Sequence, residues 1–148
     1  MYGYIFNPWA TGEFVFKSAA SSHTSYKAMK ALANQDTEIK KRFDTWLYRS
    51  VEELYDYDKD PDALHNLIED PAYKEVVNEL RRAMLEQMKK TADYTLSAFK
   101  NKDDKAYLNK WMKKEMQEAN QRAESIQWKR SKNSNGPTEN NNQLYKTK

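Results

Sequence analysis

The sequence predicts a helix-rich α+β fold in which a small antiparallel sheet is packed by long amphipathic helices. Three observations support this prediction. Two short aromatic and β-branched runs, YGYIF and FVFK, flank turn residues near the start of the chain. A third run, ELYDY, alternates polar and apolar residues, and two later stretches repeat apolar residues every three or four positions. A length of 148 residues is ordinary for one domain.

We expect strands near residues 2–6, 13–17 and 53–57. The first two are joined by NPWATGE, whose Asn, Pro and Gly predict a hairpin or two linked strands. The third ends at DKDP, because the residue before a proline is disfavoured in helical geometry. We expect any strand that precedes the first one in a larger sheet to be missing from this chain.

Two short helices are predicted near residues 25–34 and 36–48. Thr24 or Ser25 can cap the first, and Asp36 can cap the second with Glu38 in its first turn. Apolar residues recur at helical spacing in both segments: Tyr26, Met29, Leu32 and Ala33, then Ile39, Phe43, Trp46 and Leu47.

Two long helices are predicted near residues 71–91 and 103–129. The first begins with Asp70 as cap and Pro71 at the first position, a favoured helix start. A short helical turn is expected between them, within Asp93–Lys100. The apolar stripes at spacings of three and four are Tyr73, Val76, Val77, Leu80, Met84, Leu85 and Met88, then Leu108, Trp111, Met112, Met116, Ala119, Ala123 and Ile126.

The domain is expected to span residues 1–130, followed by a polar tail at 131–148. The tail is rich in asparagine and has no apolar periodicity, so we expect it to be disordered. The formal net charge is +3, but the segment after residue 128 alone carries +4. The remaining residues therefore present no uniform positive field, which makes nucleic acid an unfavoured partner. No run approaches the roughly 20 apolar residues of a membrane span, so we expect no membrane partner.

The residues themselves indicate no catalytic apparatus. There is no cysteine, which excludes disulfides and thiolate chemistry in this chain. No phosphate-binding loop, dinucleotide fingerprint or nucleophile elbow occurs. Four alternating aspartates are reminiscent of a calcium loop, but its glycine and distal glutamate are absent, so turn formation and helix capping explain them better: Asp56, Asp58, Asp60 and Asp62.

Two histidines and two tryptophans are the other candidates for a site. His23 could line a site from its polar loop, although a solvated loop histidine is the simpler interpretation, and His65 is interpreted as structural or exposed. Trp9 and Trp46 could stack on a sugar, but tryptophans in a chain poor in aliphatic residues are more often core anchors.

The segment WLYRSVEELYDYDKDP, its continuation DALHNLIEDPAYKEVVNELRRAMLEQMKKTAD and the earlier YGYIFNPW resemble the C-terminal region of the sulfatase family. The match is most similar to the sulfamidase branch, the heparan N-sulfatases, and covers about residues 2–100. The family pattern is an ELYD-type strand, a DP turn, an NL pair, a second DP and a long helix.

This resemblance implies a C-terminal subdomain with an antiparallel sheet of about four strands, docked on a large catalytic α/β domain that is the expected partner. The family's formylglycine, formed in a Cys/Ser-x-Pro-x-Arg motif, and its calcium ligands would belong to that domain. We therefore expect no catalytic residue, no metal ligand and no cofactor in this chain. The chain would be a C-terminal fragment of a sulfatase or the product of a truncated reading frame, non-catalytic by itself.

The parent enzyme would hydrolyse sulfate esters or sulfamates, with a sulfated glycan such as a glycosaminoglycan as the expected ligand, in the periplasm or outside the cell. Trp9, His23 and Arg49 are our candidates for the rim of the substrate site. In isolation the chain is expected to expose its docking face and to form a homodimer by exchange of a strand or helix.

An alternative hypothesis is a stand-alone interaction module that binds a protein or a polyanion. The helix near residues 103–129 and the basic tail would supply the binding surface. This hypothesis predicts salt-sensitive binding that is lost when residues 131–148 are deleted.

Overall fold

A computed structural model of the chain describes residues 1–18, 21 and 23–133, with only the backbone described for 127–133. The predicted α+β class is confirmed: the structure is helix-rich and contains a small antiparallel sheet packed against helices. The chain divides into two compact units, Met1–Met112 and Lys113–Lys148. Of the tail predicted to be disordered, residues 131–133 belong to a helix instead, because the last helix runs four residues beyond its predicted end, and residues from 134 onward lie outside the described part.

The sheet of the first unit consists of β1 (Tyr2–Phe6) and β2 (Glu52–Asp56). The strands are antiparallel, with Tyr2 opposite Asp56 and Phe6 opposite Glu52. The third predicted strand therefore begins and ends one residue earlier than expected. In the described residues the sheet has two strands, fewer than the four or so that the family resemblance implies.

The predicted strand near residues 13–17 is wrong. Glu13 ends a turn, and the segment that follows has no regular secondary structure. The backbone N–H of Phe16 donates to the carbonyl of Leu47, 2.7 Å away, at the end of a helix. The Phe16 ring lies against Trp9 and Trp46, at centroid distances of 5.7 and 5.2 Å. The aromatic residues that predicted a strand thus pack on a helix, because a hydrophobic ring fits either environment.

Helices α1 (Thr24–Leu32) and α2 (Thr37–Tyr48) follow as predicted, with boundaries shifted by one or two residues. The cap of α2 is confirmed: the Asp36 carboxylate accepts from the backbone N–H groups of Glu38 and Ile39, at 2.8 and 3.1 Å. The predicted cap of α1 is wrong, since His23 occupies that position and makes no side-chain capping bond.

The next helix begins at the predicted Asp70-Pro71 signal, but its first turn is a 3₁₀ helix at Pro71–Tyr73. Asp70 accepts from the backbone N–H of Ala72 there. Helix α3 follows at Lys74–Lys90, then the short α4 at Leu96–Lys100 and the long α5 at Lys105–Asn133. Among the described residues, no helix is both long and apolar enough to cross a membrane.

The side chains of β1 join the sheet to the helices on one face. The ring of Tyr2 lies 6.0 Å from that of Tyr73, and the ring of Phe99 in α4 meets Tyr4 and Phe6 edge-on at 6.5 and 5.0 Å. The fully buried core residues nearby include Leu54, Ala98 and Leu108. All five residues of β2 are buried, and the chain is exposed again at Ser50 before it and at Asp58 after it.

Candidate functional site

A pocket of about 650 Å³ lies between helix α2 and the loop that follows β2. One wall is a single face of α2, because its lining positions are three or four residues apart. The other wall is the loop at residues 62–65. We call it the Arg49 pocket, and it is lined by Glu38, Lys41, Arg42, Thr45, Trp46, Arg49, Asp62, Ala63, Leu64 and His65.

Arg49 lies at the C-terminal end of α2, and its backbone conformation is uncommon for a residue other than glycine. Its φ is 52°, and Ala63 on the opposite wall also has a φ of 52°. Such backbone is sterically costly outside glycine and persists only where the surroundings enforce it. Two of the three non-glycine residues with positive φ in the described chain therefore line this one pocket.

The buried carboxylate of Glu53 holds Arg49 in place. Arg49 Nη1 donates to Glu53 Oε2 at 3.0 Å, and Glu53 also accepts from the Ser50 N–H at 3.2 Å and the Tyr55 hydroxyl at 3.1 Å. Glu53 is only 1% exposed, whereas the Arg49 side chain is 32% exposed. Arg49 therefore links a buried anion to the pocket surface.

The other charged groups of the pocket are partly compensated. Lys41 Nζ pairs with Glu38 at 2.8 Å, which raises the Lys41 pKa. His65 Nδ1 lies 3.5 Å from Asp60, and the backbone N–H of His65 lowers the Asp60 pKa by donating to its carboxylate. Arg42 has no hydrogen-bonding or ionic partner among the described residues. Its guanidinium is therefore the lining cation with the most freedom to bind an added anion.

The Arg49 pocket also has apolar surface. Leu64 is 46% exposed on the loop wall, and Trp46 is half-buried on the helix wall. The Trp46 ring packs inward against Phe16 and Tyr26 at centroid distances of 5.2 and 5.4 Å. Trp46 is thus a core anchor with an edge at the pocket, and it can contact an apolar ring of a ligand without changing its packing.

A second pocket, of about 460 Å³, also includes Arg49. Lys102 and Lys105 line it, but so do Glu52, Glu69 and Asp103, and Lys102 Nζ is paired with Asp103 at 2.9 Å. Its charges are therefore balanced between the two signs, and it is the less suited of the two pockets to an anionic ligand.

Of the three residues predicted for a substrate rim, only Arg49 lines a described pocket. Trp9 packs against Phe16 in the aromatic cluster of the first unit, and His23 is exposed at the start of α1. Lys41 and Arg42 were missed, although their spacing from Arg49 on one helix face was a usable signal.

The alternating aspartates at the end of β2 and beyond it do not all converge on one point, although Asp56 Oδ1 lies 3.8 Å from the Met1 amino group that Asp58 also contacts. Asp58 pairs with the amino terminus of Met1, and Asp60 accepts the His65 N–H at 2.7 Å. Asp56 is buried and lies 3.6 Å from Lys59 Nζ. In the described part of the chain, no group of three or more histidine and acidic side chains could hold a metal ion. The described residues therefore do not fit the calcium that the family resemblance implies for the parent enzyme.

Comparisons with known proteins leave the family undecided: no family model, no curated protein and no solved structure matches this chain.

Proposed function

We propose that this chain is the non-catalytic C-terminal part of a sulfatase, and that the Arg49 pocket binds a sulfate group of a sulfated glycan. The parent enzyme would hydrolyse sulfate esters or sulfamates with residues of its catalytic domain. The role of this chain is then to complete the structure and to hold the substrate at the rim. The resemblance of the segment from Trp46 to Asp93 to that region of sulfatases supports the first part.

Arg42 lines the pocket together with Arg49 and Lys41 and has no partner among the described residues, and this is the observation that carries the second part. A guanidinium presents several N–H donors in one plane, which matches the oxygens of a sulfate better than an ammonium does. The exposed Leu64 and the edge of Trp46 add apolar surface for the carbon face of a sugar ring. A cation pair beside apolar surface suits a sulfated sugar better than a free sulfate ion.

The binding test is calorimetry of the chain with a heparan sulfate oligosaccharide and with the same oligosaccharide after desulfation, at about 0.15 M salt. We expect binding of the sulfated form only. Arg42→Gln should weaken binding about tenfold, because it removes the binding free energy of one charge-assisted hydrogen bond. Lys40→Gln is the matched control, because it removes one charge from the same helix outside the pocket.

Equal weakening by both variants would contradict the Arg49 pocket as the site. Loss of binding on deletion of residues 131–148, with Arg42→Gln unaffected, would favour the interaction module instead. Sulfatase membership is tested separately by the coding sequence upstream of residue 1. An in-frame Cys/Ser-x-Pro-x-Arg motif would support it, and a stop codon immediately before Met1 would contradict it.

A further inference from the structure

The outer edges of the two strands differ in how their backbone groups are hydrogen-bonded. The Tyr57 N–H donates to the Met1 carbonyl at 2.9 Å, and the Asn7 N–H donates to the Val51 carbonyl at 2.8 Å. Backbone groups of an antiparallel strand alternate between facing the partner and facing away. Gly3 and Ile5 therefore face β2, whereas the N–H and C=O groups of the three residues between and beside them point away from it: Tyr2, Tyr4 and Phe6.

The outer edge of β2 is closed by the chain itself. The Leu54 N–H donates to the Asn66 side-chain oxygen at 2.9 Å, and the Leu54 carbonyl accepts from the Leu67 N–H at 2.8 Å. The Asn66 amide also donates to the Glu52 carbonyl at 3.2 Å. Asn66 thus occupies the position that a further strand would take on that side.

The residues that the structure describes provide no such closure for the outer edge of β1. None of the described residues donates to, or accepts from, the outward backbone groups of Tyr2, Tyr4 and Phe6. Unpaired backbone groups are costly when they are buried, so an edge of this kind favours a partner strand. The strand YGYIF also lacks the lysine, proline or bulge with which natural proteins protect an open edge.

We propose that β1 binds β1 of a second copy of this chain, in an antiparallel arrangement with its two-fold axis at Tyr4. In this register Tyr4 exchanges two backbone hydrogen bonds with Tyr4 of the second copy. Tyr2 does the same with Phe6 of the second copy, and Phe6 with its Tyr2. The two sheets join into one of four strands.

A second copy fits this edge for three reasons. The outward donors and acceptors are symmetric about Tyr4, so an identical strand satisfies all of them at once. YGYIF carries no charged side chain, so self-pairing brings no like charges together. A two-stranded sheet is marginal by itself, and four strands remove that weakness. Met1 and Tyr2, 74% and 42% exposed, add apolar area at the ends of the pairing.

Residue-resolved amide exchange measured at several protein concentrations is the first test, together with sedimentation equilibrium. We expect a monomer–dimer equilibrium in which the Tyr4 and Phe6 amides become protected as the dimer forms. The Gly3 and Ile5 amides should be protected in both states. The idea is overturned by a chain that stays monomeric, by a dimer with unprotected Tyr4 and Phe6 amides, or by protection of these amides in the monomer.

A pair of variants at Tyr2 provides the second test. Tyr2→Pro removes an outward N–H and places a ring in the path of the incoming strand, while the hydrogen bonds to β2 remain. Tyr2→Ala loses the same contact with Tyr73 and keeps the N–H. Because each dimer loses two hydrogen bonds, Tyr2→Pro should weaken dimerisation about tenfold or more relative to Tyr2→Ala. Equal dimerisation of the two variants would contradict the proposal.

This inference does not depend on the proposed function. The edge of β1 shares no residue with the Arg49 pocket, so loss of sulfated-glycan binding and loss of dimerisation are separate results. A strand from another part of a longer protein could take the same edge. In that case the longer protein, and not the second copy, would protect the Tyr4 and Phe6 amides, and the proposed dimer would be wrong for it.

Discussion

The two glutamates that begin β2 are adjacent in sequence and are both buried. The charge of the first is compensated by a residue distant in sequence, and that of the second by its sequence neighbours. Glu52, 9% exposed, is paired with Arg81 of helix α3, whose Nε and Nη2 donate at 2.8 and 2.5 Å. The Tyr4 hydroxyl of β1 donates to the same carboxylate. Glu53, on the other face, is satisfied by Arg49, Ser50 and Tyr55, all within four residues.

Because their partners differ, the two buried carboxylates are expected to contribute to different properties of the protein. The Glu52 cluster connects three elements that are distant in sequence, and its hydrogen bond raises the pKa of Arg81. Burial, followed by the bond to Glu52, raises the pKa of Tyr4. The Glu53 cluster is local and sets the direction of Arg49 toward the pocket. The first cluster is therefore expected to control global stability and the second to control the geometry of the site.

Arg81→Met is expected to have the largest effect. It leaves the buried Glu52 carboxylate without its guanidinium, which costs about 3–5 kcal/mol of unfolding free energy. Urea denaturation measures the loss. Arg82→Met, at an exposed neighbouring position, should change stability by less than about 0.5 kcal/mol. The double variant Glu52→Gln/Arg81→Met should be more stable than Arg81→Met, and the comparison of the two clusters fails if it is not.

Glu53→Ala is expected to cost less, about 2 kcal/mol. Removal of this carboxylate leaves a tyrosine hydroxyl and one N–H without a partner, but Arg49 is 32% exposed and can be hydrated. Denaturation gives the loss of stability, and calorimetry should show weaker binding at the Arg49 pocket as well. A variant that loses stability and keeps full binding would show that Glu53 does not position Arg49.

The backbone at Arg49 is tested by comparing Arg49→Gly with Arg49→Ala. Both variants lose the ion pair with Glu53, so that loss cancels in the difference. Because φ is 52°, we expect the glycine variant to be more stable by about 1 kcal/mol. The same two substitutions at Arg42, inside α2, should give the opposite sign, since alanine is favoured over glycine by about 1 kcal/mol in a helix.

A further expected effect is a dependence on alkaline pH. Burial, followed by the nearby Glu53, raises the pKa of Tyr55 to about 12 from an ordinary 10.0. The folded chain keeps this proton while the unfolded chain loses it, so the stabilising contribution is full below pH 10 and is lost as pH rises toward 12.

The unfolding free energy should therefore be lower at about pH 11 than at about pH 9, because a tyrosine in the unfolded chain loses its proton near pH 10. Tyr55→Phe should reduce this slope. The remaining slope should reflect Tyr4, whose pKa is raised as well. The difference between the ultraviolet titrations of the wild type and of Tyr55→Phe isolates the ionisation of Tyr55. An unchanged slope in Tyr55→Phe would show that Tyr55 does not titrate differently in the folded chain.

Signals that act within a few residues predicted the local elements well. The Asp36 cap, the Asp70-Pro71 start and the apolar stripe of α3 all lie where the structure has helix ends and buried residues. The FVFK run failed because a short aromatic segment can pack on a helix as well as in a sheet. Arg49, Trp46 and His65 were weighed separately, but the sequence did not predict that they line one pocket, since its second wall comes from a loop beyond β2.

The sequence by itself determined the helices, two of the three predicted strands and most of their ends, because capping, proline geometry and helical periodicity are local properties. Only the tertiary structure decided that all five residues of EELYD are buried, three of them acidic. That outcome depends on Arg81, 29 residues from Glu52, and on the neighbours of β2 on each side. Burial and charge pairing between distant residues follow from packing, which no short stretch of sequence specifies.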